Sequence, residues 1–241
     1  MQEKKSSFKS PSKKHQPHGL TILYEDMDIL VVDKINGLLT IGAERERQKT
    51  AYFLLTDYVK KGNIRSKNRI FIVHRLDKDT SGILVFAKNE QAKRYLQDNW
   101  QEFSKKYVAV IYGKLPNREG EITSYLVENT AHRVYSVNDP KKGKFAKTGY
   151  KVLKFHRNLS LLEIKLHTGR KNQIRVHFSE MGHAVVGDKM YGEKKKEIKR
   201  LGLHSFSLSI LHPYTKKEMT FQTEIPLYFK SLVNYHDTKS Q

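Results

Sequence analysis

The stretch His74-Arg75-Leu76-Asp77-Lys78-Asp79-Thr80-Ser81-Gly82 sets carboxylates among cations. Asp77 stands between Arg75 and Lys78, whose charges favour its ionised form. An ionised carboxylate can attack carbon or take a proton. Apolar runs at 70–73 and 83–87 flank the stretch, so it reads as a loop between two strands, where active sites concentrate. The same residues also suit a polar turn with an Asp-type cap. A second cluster is Thr168-Gly169-Arg170-Lys171-Asn172-Gln173-Ile174-Arg175-Val176-His177. Here a glycine turn feeds a helix over 171–181 whose first turns hold Arg170, Lys171 and Arg175. Backbone N–H groups and Arg side chains together make a phosphate site. A solvated basic helix face is the plain alternative, and Arg175 can instead pair with a carboxylate across the core. A third group, Lys105-Lys106-Tyr107 with Tyr112, Tyr135 and Tyr150, suits stacking on unpaired bases, although tyrosine is also an ordinary sheet residue. His167, His177 and His183 have no metal-ligand spacing, and the chain has no Cys to support them.

The elements that must position these residues are mostly strands. Short β-rich runs at 21–24 and 29–32 are separated by the acidic turn Glu25-Asp26-Met27-Asp28. Residues 35–38 read as a turn. Thr50 is placed to cap a helix over 50–61 that Gly62 ends, with Phe53, Leu54, Tyr58 and Val59 along one face. A second helix over 89–102 carries Ala92, Leu96 and Trp100 in one stripe. The strand 107–112 presents Tyr107, Ala109 and Ile111 on one side and Val108, Val110 and Tyr112 on the other. Residues 121–166 are β-rich, with a hairpin of 149–155 and 159–166. Two further strands, 203–210 and 218–223, precede a last helix that Pro226 opens. Strands without regular βα alternation indicate an α+β fold with a mainly antiparallel sheet.

The chain has 241 residues, 45 Lys+Arg against 25 Asp+Glu, and a formal net charge of +20. Residues 1–19 form a basic, Ser- and Pro-containing tail of a composition that does not bury enough surface to order itself; residues 20–241 form the folded body. Most of the charge stays on that body, which points to a polyanionic partner, RNA or DNA before a membrane surface. With no Cys, disulfide scaffolds, thiolate catalysis and Cys-ligated metals are excluded. No apolar run approaches a membrane span and no secretory h-region is visible, so the expected compartment is the cytoplasm.

Four clusters in order give the chain a likeness. The His74–Gly82 stretch resembles the signature loop of the RluA family of pseudouridine synthases. Lys106-Tyr107-Val108-Ala109-Val110 with Gly113 resembles its tyrosine motif. Gly169-Arg170 through Arg175-Val176-His177 resembles its basic helix motif. Gly182-His183-Ala184-Val185-Val186-Gly187-Asp188, with Tyr191-Gly192, resembles the loop that follows; Ala184 stands where the family usually has Pro.

The resemblance implies the pseudouridine synthase fold, a mixed, mainly antiparallel sheet with flanking helices, here as a catalytic domain without an S4-type domain. It implies isomerisation of uridine in ribosomal or transfer RNA, without cofactor or metal; the absence of an S4-type domain and the high charge favour a monomer. Asp77 would attack the anomeric carbon of the ribose or take the proton from the sugar's second carbon. Arg175 would pair with that Asp, Tyr107 would stack on the target base, and Arg75 would fill the gap left by the flipped nucleotide. His74, Arg170 and Gln173 would help hold the RNA, and Val185 or Val186 would pack below the base. The charged stretch 193–200 would contact RNA backbone or simply be solvated. Two rivals are a non-catalytic RNA-binding protein with the same fold and a metal-dependent phosphate-ester hydrolase built on Asp77 and Asp79. The second is disfavoured because Arg75 and Lys78 would repel a divalent cation.

Overall fold

The computed structural model describes residues 11–12, 15–42, 44–192 and 198–236. Most of the basic tail, and Lys194, Lys195 and Lys196 of the charged stretch, lie outside the described residues. The chain divides into two compact units. Met1–Trp100 with Leu211–Phe221 forms the first, and Gln101–Ile210 with Gln222–Gln241 forms the second.

In the first unit β1 (Leu20–Glu25), β2 (Ile29–Lys34) and β4 (Ser81–Ala87) lie side by side, and the short β3 (Phe71–Ile72) also pairs with β4. These pairs are antiparallel, with Val32 opposite Leu84 and Ile22 opposite Val32. Every residue of β4 is buried, as expected of a strand whose sequence is apolar without alternation. Helix α1 (Ala51–Lys60) starts where Thr50 accepts a hydrogen bond from Phe53 N, and ends at Lys61, whose φ of 51° is left-handed. Its buried stripe is Ala51, Leu55 and Val59, not the expected Phe53–Leu54–Tyr58–Val59 face. Phe53 is 36% exposed, and Tyr58 turns its hydroxyl to Glu25 at 2.9 Å. Helix α2 (Glu90–Asp98) is capped by Asn89 and buries Ala92 and Leu96. Trp100, just beyond it, stacks on His74 with ring centroids 4.2 Å apart.

The second unit runs β10 (Leu203–Leu211), β5 (Ser104–Tyr112), β9 (Leu159–Leu166), β8 (Lys144–His156), β6 (Glu119–Glu128) and β7 (Val134–Val137) in spatial order. Each neighbouring pair is antiparallel. The strand β11 (Glu218–Gln222) follows β10 in the chain, and α4 (Leu227–Leu232), opened by Pro226, comes last. The alternation read in β5 separates two cores. Ala109 and Ile111 join Leu162, Ile164, Phe178 and Val185, with Tyr107 packed against them. Val108 and Val110 join Leu161, Val186 and Phe229, with Tyr112 against those. Helix α3 (Gln173–Glu180) supplies Ile174 and Phe178 to the first core.

Candidate functional site

Asp77, with His74 and Arg75, lies in the first unit; Tyr107, Arg170, Gln173, Arg175, Val185 and Val186 lie in the second. The Asp77 loop alternates between exposed and inward residues: Arg75, Lys78 and Asp79 are exposed, Leu76 and Thr80 are buried, and Asp77 is half-buried. Its backbone is clasped by the segment after β2. The buried Thr40 hydroxyl donates to Leu76 O at 2.8 Å and accepts from Leu76 N at 3.2 Å. Gly37 N donates to Lys78 O, and Asn36 Nδ2 donates to Asp79 O at 2.6 Å. Within the loop Thr80 N closes a turn onto Asp77 O.

The least expected member of this clasp is Lys34. It is fully buried. Its Nζ donates to Ile35 O at 3.0 Å, Leu38 O at 2.7 Å and Lys78 O at 3.2 Å. An ammonium has three N–H donors, so all are spent on the two segments that meet here. Burial pulls the Lys34 pKa down to about 8, against the opposing pull of Asp79, Asp77 and Asp33. A lysine at a strand end reads in sequence as solvated; the only hint was that it follows four apolar-rich strand positions and leads into the Asn36-Gly37 turn. His74 also serves the scaffold. Its Nε2 accepts from Val85 N at 3.1 Å, and its ring lies on Trp100.

Around Arg175 the side chains themselves do the holding. Its Nε and Nη2 form a bidentate pair with Asp188 at 2.7 and 2.8 Å, and Nη1 donates to Asn172 Oδ1 at 3.2 Å. The Asp188 side chain is fully buried. Burial alone would raise its pKa, but the Arg175 guanidinium and the N–H groups of Tyr191 and Met190 outweigh this and hold it below the usual carboxylate value. Arg175 and Arg133 both lie over the Tyr191 ring, 5.1 and 5.3 Å from its centroid. The approach to Asp188 runs through Gly187, at φ 69°, where an added Cβ would lie 2.2 Å from Arg200 O; only glycine fits there.

Two expectations about this segment need correction. Arg170 and Lys171 precede α3 rather than occupying its first turns, because Asn172 is left-handed at φ 52° and the helix begins at Gln173. Gln173 does not offer its amide to a ligand. It is buried, its Oε1 accepts from Thr168 Oγ1 and Arg170 N, and its Nε2 donates to Lys147 O and Thr148 Oγ1. His177 joins the same network through Thr148 and Ser124, and burial lowers its pKa to about 4. The two valines face different cores: Val185 shares the one against which Tyr107 packs, while Val186 packs with Phe229.

One carboxylate–imidazole cluster among the described residues, Asp26, Asp28 and His212, has metal-like proximity. Its groups are committed to a turn. Asp26 accepts from Asp28 N, Ile29 N, Tyr24 Oη and His212 Nε2, and His212 Nδ1 accepts from Tyr214 N and Thr215 N. Among the described residues, no helix is long and apolar enough to cross a membrane.

Comparison with known proteins places these features in a family. A model of the RNA pseudouridylate synthase family matches residues 28–180. "Ribosomal large subunit pseudouridine synthase D" of Zymomonas mobilis is 34% identical over 232 residues, covering 89% of this chain and 73% of that protein. "Uncharacterized RNA pseudouridine synthase" of Aquifex aeolicus is 36% identical over 236 residues, covering 92% and 74%. The solved structure of human RNA pseudouridylate synthase domain containing 1 superposes with a TM-score of 0.71 at 26% identity, covering 93% of this chain and 89% of that one. The stretch matched by the family model holds the Asp77 loop, Tyr107 and Arg175, and the α+β architecture is that of the solved relative. The chain belongs to the RluA-type RNA pseudouridine synthases.

Proposed function

We propose that this enzyme isomerises uridine in ribosomal RNA, with Asp77 acting on the ribose, Tyr107 stacked on the base and Arg175 paired with Asp77. The observation that supports it best is the clasp around Asp77. Lys34, Gly37, Asn36 and Thr40 bind the backbone of 76–79, which fixes the path of the chain through Asp77. The ribosomal target is supported by the name of the Zymomonas relative.

The reaction asks one carboxylate to serve twice. Asp77 either attacks the anomeric carbon, displacing uracil from its N1 bond, or takes the proton from the sugar's second carbon to give a glycal. The freed uracil anion turns and its carbon 5 bonds to the anomeric carbon, breaking the bond to Asp77 on the first route, or as Asp77 returns the proton to the sugar's second carbon on the other; the carbon-5 proton then leaves to solvent and N1 gains one. A positioned carboxylate shielded from water suits either route. A guanidinium presents two bidentate edges; Asp188 takes one edge of Arg175, and this reading assigns the other to Asp77. Tyr107 and Val185 border one core, so Val185 is the valine assigned to pack below the base. Arg75, exposed on the loop, is assigned the gap left by the flipped nucleotide. Gln173 and His74 act as positioning residues.

The test is tritium release from RNA labelled at uracil carbon 5, taken from cells lacking the protein and separated into ribosomal and transfer fractions. Wild type should release tritium from the ribosomal fraction. Asp77→Asn should be slower by at least about a thousandfold while still binding RNA. Release from transfer RNA alone would reassign the substrate, and an active Asp77→Asn would overturn the assigned chemistry.

A further inference from the structure

A cavity of about 500 Å³ opens in the second unit where the end of β6, the turn between β7 and β8 and the loop before α3 meet. Its charged lining is Lys141, Lys142, Lys144, Arg170 and Lys171 against the single carboxylate of Glu128. Glu128 is already taken by Lys171 at 2.6 Å and His132 at 2.8 Å. Lys142 has only a long contact with Asp139, at 3.9 Å. Lys141 and Lys144 are exposed and make no ion pair among the described residues. Arg170 spends its Nε–H on Phe145 O at 2.9 Å, which commits one of the five donors of a guanidinium.

The walls are built by backbone constraints. Asp139 Oδ1 accepts from Lys141 N at 2.9 Å, and Asp139 O accepts from Lys142 N at 3.0 Å. Gly143 lies so near β6 and β7 that a Cβ there would stand 2.8 Å from Val137 Cγ2 and 2.9 Å from the Tyr125 carbonyl carbon. The lysines on either side of Gly143 therefore start from a backbone pinned to the sheet. Across the cavity, a Cβ at Gly169 would meet nothing within 4 Å, so a ligand can approach that backbone closely.

Five cations around one carboxylate repel one another, and a polyanion relieves the repulsion. Phosphate oxygens match ammonium and guanidinium donors, and the volume suits a nucleotide rather than a bare ion. We propose that this cavity is a subsite for the RNA backbone, gripping phosphates of an unpaired strand between the Lys141–Lys144 turn and Arg170. The proposal rests on the reading of the chain as an enzyme acting on RNA. It adds a grip whose lysines lie outside every motif that carries the family resemblance.

The test compares Lys141→Gln/Lys144→Gln with a control of equal charge change, Lys49→Gln/Lys67→Gln, both exposed in the first unit. Binding of a labelled oligouridylate is followed across a salt titration. The cavity variant should show a slope of log affinity against log salt shallower by about 1.4, the loss of two single-strand phosphate contacts. The control should keep the wild-type slope, and Lys141→Arg/Lys144→Arg should restore it. In tritium release, the cavity variant should raise KM about tenfold at unchanged kcat, as uniform binding is lost. An unchanged slope in the cavity variant, or equal flattening by both glutamine pairs, overturns the subsite. Wild type that releases no tritium overturns the proposed function instead, so the two failures are told apart.

Discussion

The Asp77 loop and the Arg175 segment are held in place by opposite means. Around Asp77 the grip is on main-chain atoms: the carbonyls of residues 76, 78 and 79 are taken by Thr40, Lys34 with Gly37, and Asn36. Around Arg175 the grip is between side chains, from the Asp188 pair to the Gln173–Thr148–His177 network. The first arrangement depends on the backbone path of residues 76–79 more than on the side chains those residues carry. The second depends on the identity of each partner, because a buried polar group that loses its complement costs more than the bond was worth.

The sharpest way to break this contrast is Asp188→Ala. It strands the Arg175 guanidinium beside Tyr191 and should cost about 3 kcal/mol, read as a lowered urea midpoint, with a fall in kcat as Arg175 loses its orientation. A stability change within error would mean that Arg175 is not held by side chains. Lys34→Met comes next. It removes the only side-chain cation in the clasp, and loosening Asp77 by a fraction of an ångström should lower kcat about tenfold to a hundredfold at little change in KM. Lys34 also gives wild type a signature in pH. Its pKa is about 8 when folded against 10.5 ordinarily, so between these values the unfolded chain binds the extra proton. Its contribution to stability therefore grows with pH over that window, while kcat should fall above pH 8 as one of three donors is lost. Lys34→Met should abolish that alkaline limb. The smallest effect is expected of Thr40→Val, about 1–2 kcal/mol for two hydrogen bonds to Leu76, seen as faster hydrogen exchange at the Leu76 amide without a matching change at Arg175.

These two arms were not equally legible in the sequence. The Asp77 loop announced itself by its residues, and β5 by strict alternation, which the two cores on its faces reproduce. Lys34 stayed hidden because nothing local says that a lysine will spend all three donors on carbonyls, one of them forty-four residues away. The face of α1 departs from the apolar pattern because size does not dictate burial: Ala51 lies inside while Phe53 reaches solvent. Helix α3 starts later than its sequence suggests because a left-handed Asn172 is a property of backbone geometry that Asn permits but does not announce.

The division of labour across β5 has an evolutionary consequence. Since Val108, Val110 and Val186 pack with Phe229 on one side of the strand while Tyr107 and Val185 border the other, the sheet works as a bulkhead. Volume can be traded among the residues behind it, through drift or deliberate recombination, without disturbing the core that Tyr107 borders. Repacking on that side costs stability first and leaves the setting of Tyr107 as it is.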